Sequence, residues 1–149
     1  MIRLLREPVD AGRLLASVAG ADRGATALFL GTVRDHHDGR GVTGIDYSAY
    51  EPMALRELER IAAEAKARHG VAVAVEHRLG TLAVGEASVG IATAHARRAP
   101  ALDALRYVVE ELKRRVPIWK REHYVDGGRA WVAATEPAPS EAIAGEEAR

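Results

Sequence analysis

The chain has 149 residues, 48% of them apolar and 28% charged, with 21 basic and 21 acidic side chains and no cysteine. That length suits one domain with a core of its own, and the neutral balance supplies no global field to draw in nucleic acid or a membrane surface, so electrostatic recognition has to be local. The absence of cysteine excludes disulfides, thiolate metal sites and thiol nucleophiles.

The N-terminal stretch MIRLLREPVDAGRLLASVAGADRG is broken by Arg3, Arg6, Glu7, Asp10 and Arg13, which leaves no signal-peptide core. No run reaches transmembrane length, so the protein reads as cytoplasmic. Residues 10–19 suit a short helix capped by Asp10. GATALFLGTV (24–33) is an apolar strand, RDHHDGRG (34–41) a polar glycine-punctuated loop, and VTGIDYSAY (42–50) alternates as a half-buried strand does. After Pro52, the residues Met53, Leu55, Leu58, Ile61, Ala62 and Ala65 recur at helical spacing until Gly70.

VAVAVEHRLG (71–80) reads as a second buried strand, and TLAVGEASVGIATAHA turns around Gly85 into another that runs from Ala87 to His95. A helix is expected from Pro100 to Arg115, ended by Pro117. PIWKREHYV and RAWVAAT flank Asp126-Gly127-Gly128, a hairpin signal. The small, acidic stretch 137–149 is expected to be a flexible tail, which leaves a folded domain over 1–136. Helices interleaved with strands and a closing hairpin predict an α+β fold with a mixed or antiparallel sheet.

The segment KRRVPIWKREHYV (113–125) crowds Lys113, Arg114, Arg115, Lys120 and Arg121 around Val116, Pro117, Ile118 and Trp119. The helix before it is expected to bury Leu102, Leu105, Val108, Val109 and Leu112, which turns Arg114 toward water. Glu110 and Glu111 stand one turn before Arg114 and Arg115 as i,i+4 partners. Lys113 falls on the border of the apolar stripe. A lysine held partly out of water has its charged form disfavoured, which suits it to proton transfer or to polarising a leaving group. Beyond Pro117 the chain is extended, and Lys120 shares a face with Ile118 and Tyr124, opposite Trp119; Ile118 and Trp119 are expected to anchor the corner in the core. Two lysines thus approach one corner by different routes, although stems snorkelling over the surface account for the same pattern. On the residues alone, both readings stand.

Other polar groups are less organised. Asp35-His36-His37-Asp38 lacks the helical spacing of a metal site and reads as a solvated loop. His69, His77, His95 and His123 are scattered. Arg97-Arg98, just before a helix start, form either an anion site or an exposed pair. Arg34 closes an apolar strand, where function often sits.

In chain order, FLGTVRDH (29–36), YEPMA (50–54), HRLGTLAVGE (77–86), ARRAPALDA (96–104), LKRRVPIWKRE (112–122) and WV (131–132) resemble the large, catalytic subunit of molybdopterin synthase. The similarity runs from Ala25 to Thr135, and the K-x-x-x-P-x-W-K-[RK]-E and H-R-x-G-x-L-x-x-G-[DE] stretches carry most of it. The resemblance implies an α/β hammerhead with an additional antiparallel sheet, in one domain. It implies a sulfurtransferase of molybdenum cofactor biosynthesis that converts cyclic pyranopterin monophosphate into molybdopterin, with no metal and no permanently bound cofactor. The sulfur donor it implies is a small ubiquitin-like partner subunit whose C-terminal Gly-Gly bears a thiocarboxylate, docked at each end of a homodimer to make a heterotetramer. Carried over residue by residue, Lys113 stands at the essential lysine and Lys120 at the second functional one. Arg121 and Glu122 belong to the same substrate-contacting run. Thr32, Val33 and Arg34 match the loop that touches the pterin or its phosphate, Arg97 and Arg98 a substrate-binding pair lent across the dimer, and Arg129 joins the anion pocket. A histidine usually stands where this chain has Arg97; the exchange keeps phosphate binding and removes an imidazole that could move protons. A nucleic-acid-binding module is the competing reading, and the balanced charge argues against it.

Overall fold

In the computed structural model, which describes residues 1–132, twelve elements follow one another. They are β1 (Ile2–Leu5), α1 (Ala11–Val18), β2 (Ala25–Thr32), β3 (His36–His37), β4 (Arg40–Ala49) and α2 (Glu51–His69), then β5 (Ala72–Arg78), β6 (Gly80–Ala83), β7 (Ala87–His95), α3 (Arg98–Arg115), β8 (Ile118–Tyr124) and β9 (Arg129–Val132). The expected tail at 137–149 and the end of the expected domain lie outside the described residues.

The apolar runs of β5 and β7 make them the centre of a four-stranded sheet ordered β1-β5-β7-β2, in which β1 joins β5 in parallel and the other pairs are antiparallel. Alternation along these strands serves two layers. Val73, Val75, Val89 and Ile91 face α2 and α3, packing against Leu58, Ile61, Ala104, Val108 and Leu112. Ala74, Ala92 and Ala94 face α1 and its Leu14 and Val18. Helix α1 comes this close because Gly90 lacks a side chain: a Cβ there would lie 2.5 Å from Leu14 Cδ1.

The second sheet is antiparallel and centred on β4, with β8 and then β9 on one side and β6 and β3 also paired to β4. One stretch of chain feeds both sheets. It leaves the first at Arg78, turns through Gly80 at φ +98°, and enters the second as β6. Val33, Val42, Ile45, Leu82 and Tyr124 fill the space beneath this sheet.

Asp10 caps α1 by accepting from the Arg13 N–H, and Gly70 closes α2 in the left-handed conformation, both at the expected positions. Other details differ from expectation. Helix α3 starts at Arg98, and its buried stripe is Ala101, Ala104, Val108 and Leu112, whereas Leu102 is 56% exposed. The alanines let α3 lie close enough to β7 for Thr93 Oγ1 to donate to the Ala101 carbonyl at 2.7 Å, which rotates Leu102 outward. Trp119 is 49% exposed on the outer face of β8, so Ile118 alone anchors that corner. Glu110 is taken by Arg106, so Arg114 pairs with Glu111 at i,i+3 instead. Arg115 bridges to Glu57 and Glu64 of α2 as well as Glu111, locking the two helices together.

Candidate active site

Where α3 ends, Val116 turns extended, and after Pro117 the chain runs directly into β8. Strand alternation then points Ile118, Lys120, Glu122 and Tyr124 inward and Trp119, Arg121 and His123 outward. Lys113, in the last turn of α3, and Lys120, opposite Tyr47 of β4, line one cavity of about 240 Å³. Thr32, Val33 and Arg34 close it from the end of β2, and His36 and His37 from β3. A narrower space of about 50 Å³ adjoins it, walled by Val89, Leu112, Val116 and Ile118; Lys113, Lys120, Tyr47 and Ser88 line both spaces.

Three cations, Arg34, Lys113 and Lys120, thus stand around a cavity whose one carboxylate among the described residues is Glu122. Lys120 is half-buried. Burial pushes its ammonium below the usual lysine range, Glu122 pulls it back up, and the charges of Lys113 and Arg34 push it down again. Lys113 itself is exposed, so the desolvation expected at Lys113 falls on Lys120 instead. Tyr47 is held above the usual phenol range mainly by burial, which a Ser88 hydrogen bond partly offsets. Such a site can grip a polyanion and place ammonium groups where negative charge develops.

His77 forms part of the floor, edge-on to Tyr47 with ring centroids 5.7 Å apart. Its Nδ1 lies 3.0 Å from the Arg78 carbonyl, which can only accept, so Nδ1 carries the proton. Burial, with the charge of Lys113 adding to it, lowers its pKa from 6.5 to about 4. The unfolded chain therefore binds a proton at His77 before the folded protein does. Stability at neutral pH is unaffected, but as pH falls from 6.5 to about 4 this group withdraws on the order of 3 kcal/mol. Urea unfolding across that window should show the loss. His77→Gln should flatten it there while leaving the steeper decline at lower pH, where Asp46 and Glu64, both held at about 2 by their ion pairs, become protonated.

Val33 lines the cavity with its side chain buried in the core, its N–H donating to the Glu86 carbonyl and its own carbonyl accepting from the Gly85 N–H. The remaining expected site residues lie elsewhere. Arg121 cannot join Lys120, because adjacent strand residues face opposite sides. It pairs with Asp46 at 2.7 Å and lies over the Trp131 ring on the outer face. Arg129 is opposite His123 in register and shares that outer face. Arg97 and Arg98 line a separate cleft with Gly24 and Ala25, so within one copy of the chain they do not meet the lysines. The predicted loop at 34–41 is instead a hairpin turning on Asp38 (φ 49°) and Gly39 (φ 75°), which carries His36 and His37 to the cavity. The Asp-Gly pair was the available signal for it. Nothing in the local sequence marked Tyr47 or Ser88, and His77 stood out only as the first residue of the H-R-x-G-x-L-x-x-G-[DE] stretch, with no role attached to it. Among the described residues, no group of three or more His, Cys, Asp or Glu side chains is placed to hold a metal, and no helix is long and apolar enough to cross a membrane.

Residues 4–115 match the family model described as MoaE protein. A molybdopterin synthase catalytic subunit of Culex quinquefasciatus is 43% identical over 128 residues, 85% of this chain and 82% of that protein. A molybdopterin synthase catalytic subunit 1 of Mycobacterium tuberculosis is 43% identical over 131 residues, 87% of this chain and 88% of that protein. Among solved structures, molybdopterin synthase from Staphylococcus aureus superposes with a TM-score of 0.82 at 32% identity, covering 87% of this chain and 94% of its own. A Helicobacter pylori complex of subunits 1 and 2 of molybdopterin-converting factor shares the fold, with a TM-score of 0.74 at 23% identity over 95% of this chain and 97% of its own. The α+β fold, an α/β hammerhead with an additional antiparallel sheet, and its relatives define a sulfurtransferase of molybdenum cofactor biosynthesis. The chain belongs to the MoaE family, whose members here are molybdopterin synthase catalytic subunits.

Proposed function

We propose that this chain takes sulfur from the C-terminal Gly-Gly thiocarboxylate of a small ubiquitin-like subunit and delivers it to cyclic pyranopterin monophosphate, forming the molybdopterin dithiolene. The observation that carries the reading is that Lys113 and Lys120, on opposite sides of Pro117, line one cavity with Arg34. A phosphate monoester carries close to two negative charges, which a guanidinium such as Arg34 grips through paired hydrogen bonds. Lys120, half-desolvated beside Glu122, holds the substrate at the reacting end. Lys113 borders both spaces and meets the incoming acyl group, its ammonium offsetting the negative charge that develops there. The narrower, apolar-walled space suits a tail of two glycines, the only residues without side chains to exclude.

The Helicobacter pylori neighbour is a complex of two subunits, which supports a small partner here. Arg97 and Arg98 act from a second copy of the chain in a homodimer, since their own copy keeps them away from the lysines. The test is reconstitution: the purified chain, a thiocarboxylated ubiquitin-like partner and the cyclic precursor, assayed by mass spectrometry. The expected product carries two added sulfurs, with desulfurised partner formed alongside it. Thiocarboxylate that stays intact through the incubation would sink the proposal.

A further inference from the structure

Sulfur transfer by this route leaves a step that the two lysines do not perform. Once the thiocarboxylate sulfur has bonded to the substrate carbon, the partner's terminal carbonyl is still attached to that sulfur as a thioester. Release requires water to add to the carbonyl carbon and give up a proton. The carbonyl carbon–sulfur bond then breaks with its electron pair staying on sulfur. The partner leaves as a carboxylic acid, which sheds a second proton to solvent, and the substrate keeps a thiolate. An ammonium or guanidinium group can polarise the carbonyl and hold the leaving sulfur, but it has no lone pair with which to take the water's proton.

The cavity contains one imidazole braced by a buried carboxylate. Glu122 is 2% exposed and directed inward from β8. Its Oε1 is sealed from solvent and makes no well-aligned hydrogen bond among the described residues, but His37 Nδ1 lies 2.6 Å from it as a close ion-pair contact. A carboxylate only accepts, so Nδ1 carries the proton and Nε2 keeps the lone pair. The ring is 31% exposed and lines the cavity, with Nε2 on the edge away from Glu122 and 3.5 Å from the exposed Asp38 carboxylate. A buried carboxylate beside Nδ1, with Nε2 facing only the exposed Asp38 at the longer distance, is an arrangement that can orient an imidazole as a general base and balance the imidazolium it becomes. The other imidazoles at the site fit less well. His36 is tied to the solvated Asp35, and His77 is held at about 4 by burial, too weak a base for water at neutral pH.

We infer that His37 is a further catalytic residue, whose Nε2 takes the proton from the water that releases the partner's acyl group, with Glu122 fixing the ring. The inference rests on the sulfurtransferase reading above. Its test is a single turnover of the intact chain with thiocarboxylated partner and cyclic precursor, comparing wild type, His37→Gln and His37→Ala. Both variants should consume thiocarboxylate at close to the wild-type rate. Release of carboxylated partner should slow on the order of 10²-fold or more, with a hydroxylamine-cleavable partner–substrate adduct accumulating. Added imidazole should restore release in His37→Ala. Release at the wild-type rate in both variants would overturn the assignment. So would equal slowing of both steps with no adduct and no imidazole rescue, which is the signature of a merely structural role. If wild type itself leaves the thiocarboxylate intact, the sulfurtransferase reading falls, and this inference with it.

Discussion

Lys113→Ala should reduce sulfur transfer on the order of 10³-fold while leaving the fold intact. The side chain stands at the exposed last turn of α3, and the helix end is held by Leu112 and Val116, both buried, and by the Val116 N–H donating to the Leu112 carbonyl. Truncating an exposed stem removes no core packing, so stability should change by less than about 0.5 kcal/mol. What disappears is a fixed positive charge at the junction of the two spaces, where the proposed reaction brings the acyl group and the substrate carbon together. Removing one preorganised donor from such a position typically costs 10²–10³ in rate. Loss should appear in kcat more than in KM, because Arg34 still grips the phosphate and Lys120 still holds the substrate at its reacting end. Lys113→Arg should recover only part of the rate, since a delocalised guanidinium does not replace a compact ammonium. The measurement is product formation per thiocarboxylate consumed, beside a thermal melt of each variant. Turnover within a few-fold of wild type would remove Lys113 from the mechanism.

Features set by local chemistry were legible in the sequence, and features set by tertiary register were not. The apolar runs at 71–80 and 87–95 announced the central strands because both of their faces are covered. Gly70, Pro117 and the Asp126-Gly127-Gly128 turn each impose a backbone geometry that leaves little choice. Strand β1 escaped notice because four residues held by pairing with β5 carry no periodic signal. Strand β6 was hidden because its sequence continues that of β5 without a break in composition, and only the φ of Gly80 separates the two. At the site, Pro117 made the approach of Lys113 and Lys120 readable. Alternation along β8 also excludes Arg121 from their cavity, a consequence the motif-level resemblance did not draw. His37 could not be found from sequence, since its importance comes from Glu122, a residue distant in the chain and opposite it only after β4 and β8 pair.

Glu76→Ala should destabilise the protein by about 3–5 kcal/mol, the usual cost of removing one member of a buried ion pair. In the sequence, Glu76 interrupts an otherwise apolar strand. In the structure its side chain is 0% exposed and faces α1, where its carboxylate is fully engaged. Arg13 Nε lies 2.5 Å from Oε2, Arg13 Nη2 donates to Oε1 at 3.0 Å, and the Asp10 N–H donates to the same oxygen at 3.0 Å. The carboxylate therefore joins the N-terminal end of α1 to the centre of the first sheet. Alanine would leave the Asp10 N–H without its partner, void the space of the side chain, and loosen α1 on the face it covers. The melting temperature should fall on the order of 10 °C. Glu76→Gln, which keeps the shape and one accepting oxygen, should lose less. In a double-mutant cycle, Glu76→Ala and Arg13→Ala together should destabilise less than the sum of the two, because the second change removes a group the first has already orphaned. A loss below about 1 kcal/mol for Glu76→Ala, or strict additivity in the cycle, would mean that α1 is held by Leu14 and Val18 alone and that the ion pair is dispensable to the fold.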